Sequence, residues 1–337
     1  MKAFYQDTGL GRLCGLLGKT RQAFYDHQWR ADQHALDEGL VVDLVRQQRK
    51  DTPGAGGRKL FHLLQPAWQR HAVDLGRDQF FDLLRRHDLL IRRRKKYATT
   101  TDSKHWLKKH PHLAANLVVL EAEQLWVSDI TYLPVADKFG YLMLITDAYS
   151  RKIVGYEFSP SLSASFCVQA LQQALTNRQY PNRPLMHHSD RGIQYCSKAY
   201  VDTLTNNGCQ ISMTQNGDPY ENALAERING ILKQEWKLDQ TFPTFEQAKA
   251  AVENAVYHYN HSRPHASCDY LTPVQAHGQT GPLVKRWKNR KNKSKNKKAN
   301  PIFNIIDLPR WFGFTFVKPP QDLFLSCKAI QGLSLNL

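Results

Sequence analysis

Three acidic residues stand where an acid calls for explanation, and together they would suit phosphoryl transfer. Asp129 lies inside the apolar run LWVSDITYLPV (125–135), and a charge within a sheet needs a partner. Asp190 closes the short segment LMHHSD (185–190), just before Arg191 and Gly192. Glu226 belongs to YENALAERINGILKQE, where helical spacing aligns Asn222, Glu226, Asn229 and Lys233 on one face. Carboxylates brought close repel unless divalent cations neutralise them. Mg2+ takes oxygen ligands and keeps water or substrate phosphate in its shell. Two such ions, about 3.5–4 Å apart, stabilise the attacking and leaving oxygens of an in-line displacement. Water as nucleophile would cut a nucleic acid, whereas a 3′-hydroxyl would join two. Lys233, two turns beyond Glu226, would line the same groove and hold a phosphate. Any one of these acids is ordinarily a helix cap or a surface charge, so the residues alone leave both a metal site and a set of structural acids open.

The elements that must gather these residues can be read from periodicity. LWVSDITYLPV reads as a strand, DKFG as a turn, YLMLITDAYS (141–150) as a second strand and KIVGYEFSP (152–160) as a third, which suggests an antiparallel meander. SASFCVQALQQAL (163–175) reads as a helix capped by Ser163, LMHHSD as a short buried strand, SKAYVDTLTNNG (197–208) as a helix ended by Gly208, and CQISMT (209–214) as a fifth strand. A long helix is expected from about Tyr220 to Lys237, with Ala225, Ile228, Leu232 and Trp236 packing inward, and another from Phe245 to Tyr259. Parallel neighbouring strands would bring Asp129 and Asp190 to one edge. This order predicts an α/β, RNase H-like mixed five-stranded sheet with helices on both faces.

A small all-α, helix-turn-helix-like domain is expected ahead of it. Residues 1–36 read as a partial helix-turn-helix-like N-terminus that starts abruptly, with Thr20 capping a helix through Arg30. Residues 37–96 read as a helical DNA-binding domain. LVVDLVRQQRK (40–50) is broken by DTPGAGGRK, KLFHLLQPAWQRH is interrupted at Pro66, and GRDQFFDLLRRHDLL (76–90) sets Phe80, Leu83 and Leu84 on one face. The run Arg92, Arg93, Arg94, Lys95 and Lys96 closes it. Residues 97–118 read as a linker, 119–277 as the catalytic core and 278–337 as a basic C-terminal tail.

Charge supports that division. The chain has 337 residues and a formal net charge of +16. Residues 1–120 carry +10, residues 121–277 carry −4 and residues 278–337 carry +10, with nine basic residues among the fourteen of 285–298. A mildly acidic centre between basic flanks suits an active site that works on a polyanion, although basic runs also arise as solvated faces. No apolar run reaches a membrane span and the N-terminus lacks a signal-peptide layout. The six cysteines form no C-x-x-C pair, so a reduced, cytoplasmic protein is expected.

The strings WVSDITYL, HHSDRGIQYCS and NALAERINGILKQE resemble the three blocks of the integrase catalytic core, and more narrowly those of OrfB-type transposases of the IS-three insertion-sequence family. The 35 residues between Asp190 and Glu226 match that family's spacing, Lys233 its basic position seven residues after the glutamate, and YNHSRPHASCDYLTPVQA (259–276) its ending. The resemblance covers about 38–277. It implies that Asp129, Asp190 and Glu226 are the catalytic ligands of two Mg2+ (or Mn2+) ions. It further implies a nucleoid-associated bacterial enzyme that cleaves 3′ ends and transfers strands, as a homo-oligomer on double-stranded DNA at element ends and target. An upstream OrfA product, or an OrfAB fusion, is an implied partner. Lys233, Arg227, Asn222 and the 92–96 run are the expected DNA contacts. The alternatives are an RNase H-like nuclease without strand transfer and a non-catalytic DNA-binding regulator. His258, His261 and His265 have a passable zinc spacing broken by Pro264, His187 and His188 point to opposite faces of a strand, and Cys196 and Cys209 read as core rather than nucleophiles.

Overall fold

The computed structural model describes residues 9–91, 106–115, 117–215 and 222–286. All of these lie in the compact unit formed by residues 1–288. Arg92–Lys96 and residues 287–337, which include most of the basic 285–298 run, fall outside the described residues.

The helical N-terminal part comprises α1 (Leu10–Leu16), α2 (Arg21–Asp51), α3 (Gly57–Arg70) and α4 (Arg77–Arg86). Thr20 caps α2, its side chain accepting from the Ala23 amide at 3.1 Å. The helix then runs past Arg30 and through the expected 36/37 boundary to Asp51. No proline interrupts it, and local side-chain bonds from Gln22 to Asp26 (2.8 Å) and Gln33 to Asp37 (3.1 Å) support its exposed half. Residues 21–36 are therefore continuous with residues 37–51. Pro66 does not interrupt α3 either. Leu60, Leu64 and Trp68 are buried one turn apart, and their packing outweighs the roughly 3 kcal/mol a proline costs in a helix interior. With Val41, Val42, Val45, Phe80, Leu83 and Leu84 they form one core, so α3 and α4 pack on the second half of α2.

The sheet-containing part comprises β1 (Leu125–Val135), β2 (Lys138–Asp147), β3 (Ile153–Ser159), α5 (Ala164–Thr176), β4 (Met186–Ser189), α6 (Lys198–Asn206), β5 (Gln210–Met213), α7 (Ala223–Glu235), α8 (Phe245–His261) and α9 (Pro273–His277). Its sheet is mixed, in the order β3-β2-β1-β4-β5. β1, β2 and β3 pair antiparallel, while β4 and β5 run parallel to β1. The first hairpin is tighter than DKFG suggested. Val135 pairs with Lys138, and Ala136 takes φ 48° to close the two-residue turn.

Period-2 alternation divides the strands between two cores. Leu142, Leu144 and Leu133 face α7 and α8 with Ile228, Leu232 and Trp236. Met143, Ile145 and Trp126 face α5 and α6 with Phe166, Leu171 and Tyr200. The expected 97–118 linker is partly docked: the Leu113 and Ala114 amides donate to Ser212 Oγ at 2.9 and 3.1 Å beside β5. At the far end of the core, Glu123 and Asp147 are buried together. Glu123 accepts from Arg178 at 3.1 Å, and His277 of α9 lies 3.3 Å from Glu123 and 3.8 Å from Asp147.

Among the described residues no helix is long and apolar enough to cross a membrane.

Candidate active site

The parallel pairing of β1 and β4 sets Trp126 opposite His187 and Val127 opposite His188. Carried two residues further, that register puts Asp190 abreast of Asp129. Asp129 shares the sheet face of Leu125, Val127 and Leu133, and α7 crosses that face, with Ala225 packed on Leu125 and Val127. Two asparagines lock the crossing. Asn222 Nδ2 donates to the Ser128 carbonyl at 2.9 Å and Asn229 Nδ2 to Asp129 Oδ2 at 2.8 Å. Glu226, one turn before Asn229, is exposed. Asp190 Oδ1 accepts from the Gly192 amide at 2.9 Å.

The three acids share one electrostatic field. Burial pushes the Asp129 carboxyl up to about 7, the charges of Asp190 and Glu226 add to the rise, and the Asn229 hydrogen bond opposes it. Lys233 is half-buried on α7. Burial lowers its ammonium's pKa, while Asp129 and Asp239 pull it upward. The carboxylates do not converge on one point: among the described residues no group of three His, Cys, Asp or Glu side chains is spaced to hold a metal ion. Residues 216–221, which lead into α7, are outside the described residues. The donor set still fits a hard divalent cation, because it consists of carboxylate oxygens alone, one of them partly buried and unfavourably charged.

The remaining residues singled out in the sequence take different places. Arg227 is exposed on α7, as a DNA contact requires. Asn222 is not placed for that role. It is 6% exposed and spends its amide on β1, so it clamps the helix to the strand. Its neighbour on the same stripe, Asn229, holds the Asp129 carboxylate, a role the helical spacing made visible but did not assign. His187 is bonded to Ser128 Oγ at 2.6 Å and Tyr200 OH at 2.9 Å, and burial with the neighbouring His188 pushes its pKa down to about 3. His188 Nδ1 meets Ser212 Oγ at 2.9 Å across the sheet. His265 Nε2 sits 2.6 Å from Arg263 Nη1, while His258 and His261 bond locally to Ser262 and Tyr257. Cys196 and Cys209 are buried.

Residues 120–219 match the family described as Integrase core domain, and residues 207–273 match a second family of the same description. Over 194 residues the chain is 34% identical to the transposase InsF for insertion sequence IS3A of Escherichia coli K12, covering 57% of this chain and 67% of that protein. It is 29% identical over 267 residues to the insertion element IS600 uncharacterized 31 kDa protein of Shigella sonnei, covering 78% of this chain and 96% of that one. Among solved structures, the HTLV-2 integrase catalytic core domain in complex with magnesium is 20% identical with a TM-score of 0.38, covering 47% of this chain and 98% of that chain.

The sheet order and the two matched segments define an RNase H-like integrase core, the scaffold of DDE transposase and integrase enzymes. The chain belongs to the IS3-type insertion-sequence transposases.

Proposed function

We propose that this transposase binds the ends of its own element and carries out Mg2+-dependent (or Mn2+-dependent) 3′-end cleavage and strand transfer, with Asp129, Asp190 and Glu226 as ligands of two ions. The observation that supports this reading is the parallel pairing of β1 and β4, whose register extended by two residues brings Asp129 abreast of Asp190, with the charges of both Asp190 and Glu226 acting on the Asp129 carboxyl. Bound divalent ions would neutralise these acids and stabilise the oxygens exchanging at phosphorus. The chain's own residues supply position. Asn229 orients Asp129, Asn222 holds α7 to β1, and Lys233 offers a cation to a phosphate along the same face. Arg227, the helical residues 37–96 with the 92–96 run, and the basic 285–298 segment grip duplex backbone, as the +10 charge of each flank favours. End recognition and joining call for a homo-oligomer on DNA, with an OrfA product or OrfAB fusion as further partner.

The test incubates the protein with a labelled oligonucleotide of its element end, a target plasmid and Mg2+. Joined product supports the reading. Cutting alone would indicate a nuclease, and binding alone a regulator. D129N, D190N and E226Q should each abolish cutting and joining while DNA binding persists, since loss of one charge-stabilising group costs a factor of about 100 or more. Near-normal joining in any of them would remove that residue from the ligand set.

A further inference from the structure

The C-terminal end of α7 is the point at which the helical part grips the catalytic part. Glu235, its last residue, is nine positions after Glu226. Nine residues make two and a half turns, so the two glutamates point to opposite sides of one helix, separated by about 13 Å along its axis. Glu226 belongs to the sheet side and the acids. Glu235 faces the helical part, where Lys59 Nζ of α3 meets its Oε1 at 2.7 Å. The same carboxylate receives Arg263 Nε and Nη2, both at 2.8 Å.

The backbone joins as closely. The Gly54 amide donates to the Glu235 carbonyl at 2.8 Å, and Trp236 Nε1 donates to the Asp51 carbonyl at 3.1 Å. A Cβ on Gly54 would stand 2.5 Å from Glu235 Cα, so only glycine permits this approach.

The two cations hold Glu235 unequally. Arg263 is 3% exposed and fully engaged, paired two-fold with Glu235 and bonded to His265 Nε2 at 2.6 Å. Burial opposes the Glu235 charge, but Arg263 and then Lys59 outweigh it and hold the carboxyl at about 2. Lys59 is itself brought down to about 8 by burial and by the neighbouring Arg263. Arg263 thus carries the structural ion pair, and Lys59 adds a second, less favourable link whose chief effect is to join the two parts.

We propose that Glu235 is a positioning residue, through which Lys59 and the docking of the helical part set the placement of Glu226 over Asp129 and Asp190. This rests on Glu226 being a catalytic ligand. A thirteen-residue helix clamped at its far end transmits a shift from one end to the other, and a misplacement near 1 Å at a reacting centre costs about 100-fold in rate.

The deciding variant is K59M in the full chain, because it leaves the Glu235–Arg263 pair whole. K59M should unfold cooperatively within a few degrees of wild type. Single-turnover strand transfer should fall about 10- to 100-fold, with a several-fold weaker Mn2+ affinity measured by electron paramagnetic resonance on the protein alone. K59R, which preserves the charge, should restore both. A merely structural link would lower the unfolding temperature without moving Mn2+ affinity. Wild-type strand transfer and Mn2+ affinity in K59M would overturn the coupling while leaving the Glu226 assignment standing. Strand transfer surviving in E226Q would sink that assignment and the coupling with it.

Discussion

Replacing Asp129 by Asn should stabilise the metal-free protein while abolishing its chemistry. The magnitude can be worked from the site. Burial, with Asp190 and Glu226, lifts the Asp129 carboxyl from an ordinary 3.8 to about 7. At 1.36 kcal/mol per tenfold, holding this group ionised costs the folded state about 4 kcal/mol above pH 7. An Asn side chain keeps an amide oxygen for Asn229, but the bond loses its charge, which returns about 1–2 kcal/mol. The net gain is about 2 kcal/mol, or about 4–8 °C in unfolding midpoint for a domain of this size. The sign with pH is definite. A carboxyl with a raised folded pKa binds more protons folded than unfolded between about 4 and 7, so wild-type stability falls as pH rises through that window and levels off above it. D129N lacks this decline. The assay is thermal unfolding in EDTA from pH 5 to 9, repeated with Mg2+. Wild type should gain stability from Mg2+ by mass action and D129N much less. The reasoning is refuted if D129N in EDTA at pH 8 is less stable than wild type, or if Mg2+ stabilises both equally.

Three further outcomes are expected. Lys233→Ala should fold normally yet lose at least tenfold in end binding or joining, measured by gel shift and strand-transfer assay, because its half-buried cation lies in the field of Asp129. Replacing the lysines and arginines of 288–298 by glutamine should weaken duplex binding and flatten its salt dependence, by about 0.9 in log–log slope for each phosphate no longer neutralised. His277→Ala should leave Glu123 and Asp147 buried without their shared partner and cost about 3 kcal/mol at pH 7 by chemical denaturation. Burial lowers the His277 pKa but Asp147 and Glu123 raise it further, so its contribution is complete below about 6.5 and is lost as pH rises through the elevated folded value. The penalty should therefore shrink in alkali.

Local pattern carried much of the catalytic part. Alternation in YLMLITD separates Leu142 and Leu144 from Met143 and Ile145, and these pairs do face opposite cores. The apolar stripe Ala225, Ile228, Leu232 and Trp236 is buried, leaving Glu226 exposed and Lys233 half-buried. The acids themselves were legible because a charge amid apolar strand residues, or on the polar face of such a helix, is conspicuous before any tertiary partner is known. Periodicity also has limits where its signal is weak. The exposed first half of α2 has no buried stripe to mark its continuity, and Pro66 reads as a break until the packing of Leu60, Leu64 and Trp68 is seen to override it.

Tertiary structure alone decided what depends on partners distant in sequence. Nothing local distinguishes Asn222 as a clamp on Ser128, 94 residues away, from a DNA contact, because either use suits a polar residue at a helix start. Nothing local joins Lys59 to Glu235 across 176 residues, or marks Gly54 as the residue whose smallness lets its own backbone meet that of Glu235. The sequence by itself determined which residues could do the chemistry and the faces they occupy, since both derive from side-chain type and backbone period. The folded chain decided how near those residues come to one another and what holds them there, because burial, charge repulsion and long-range hydrogen bonds exist only once the elements have packed.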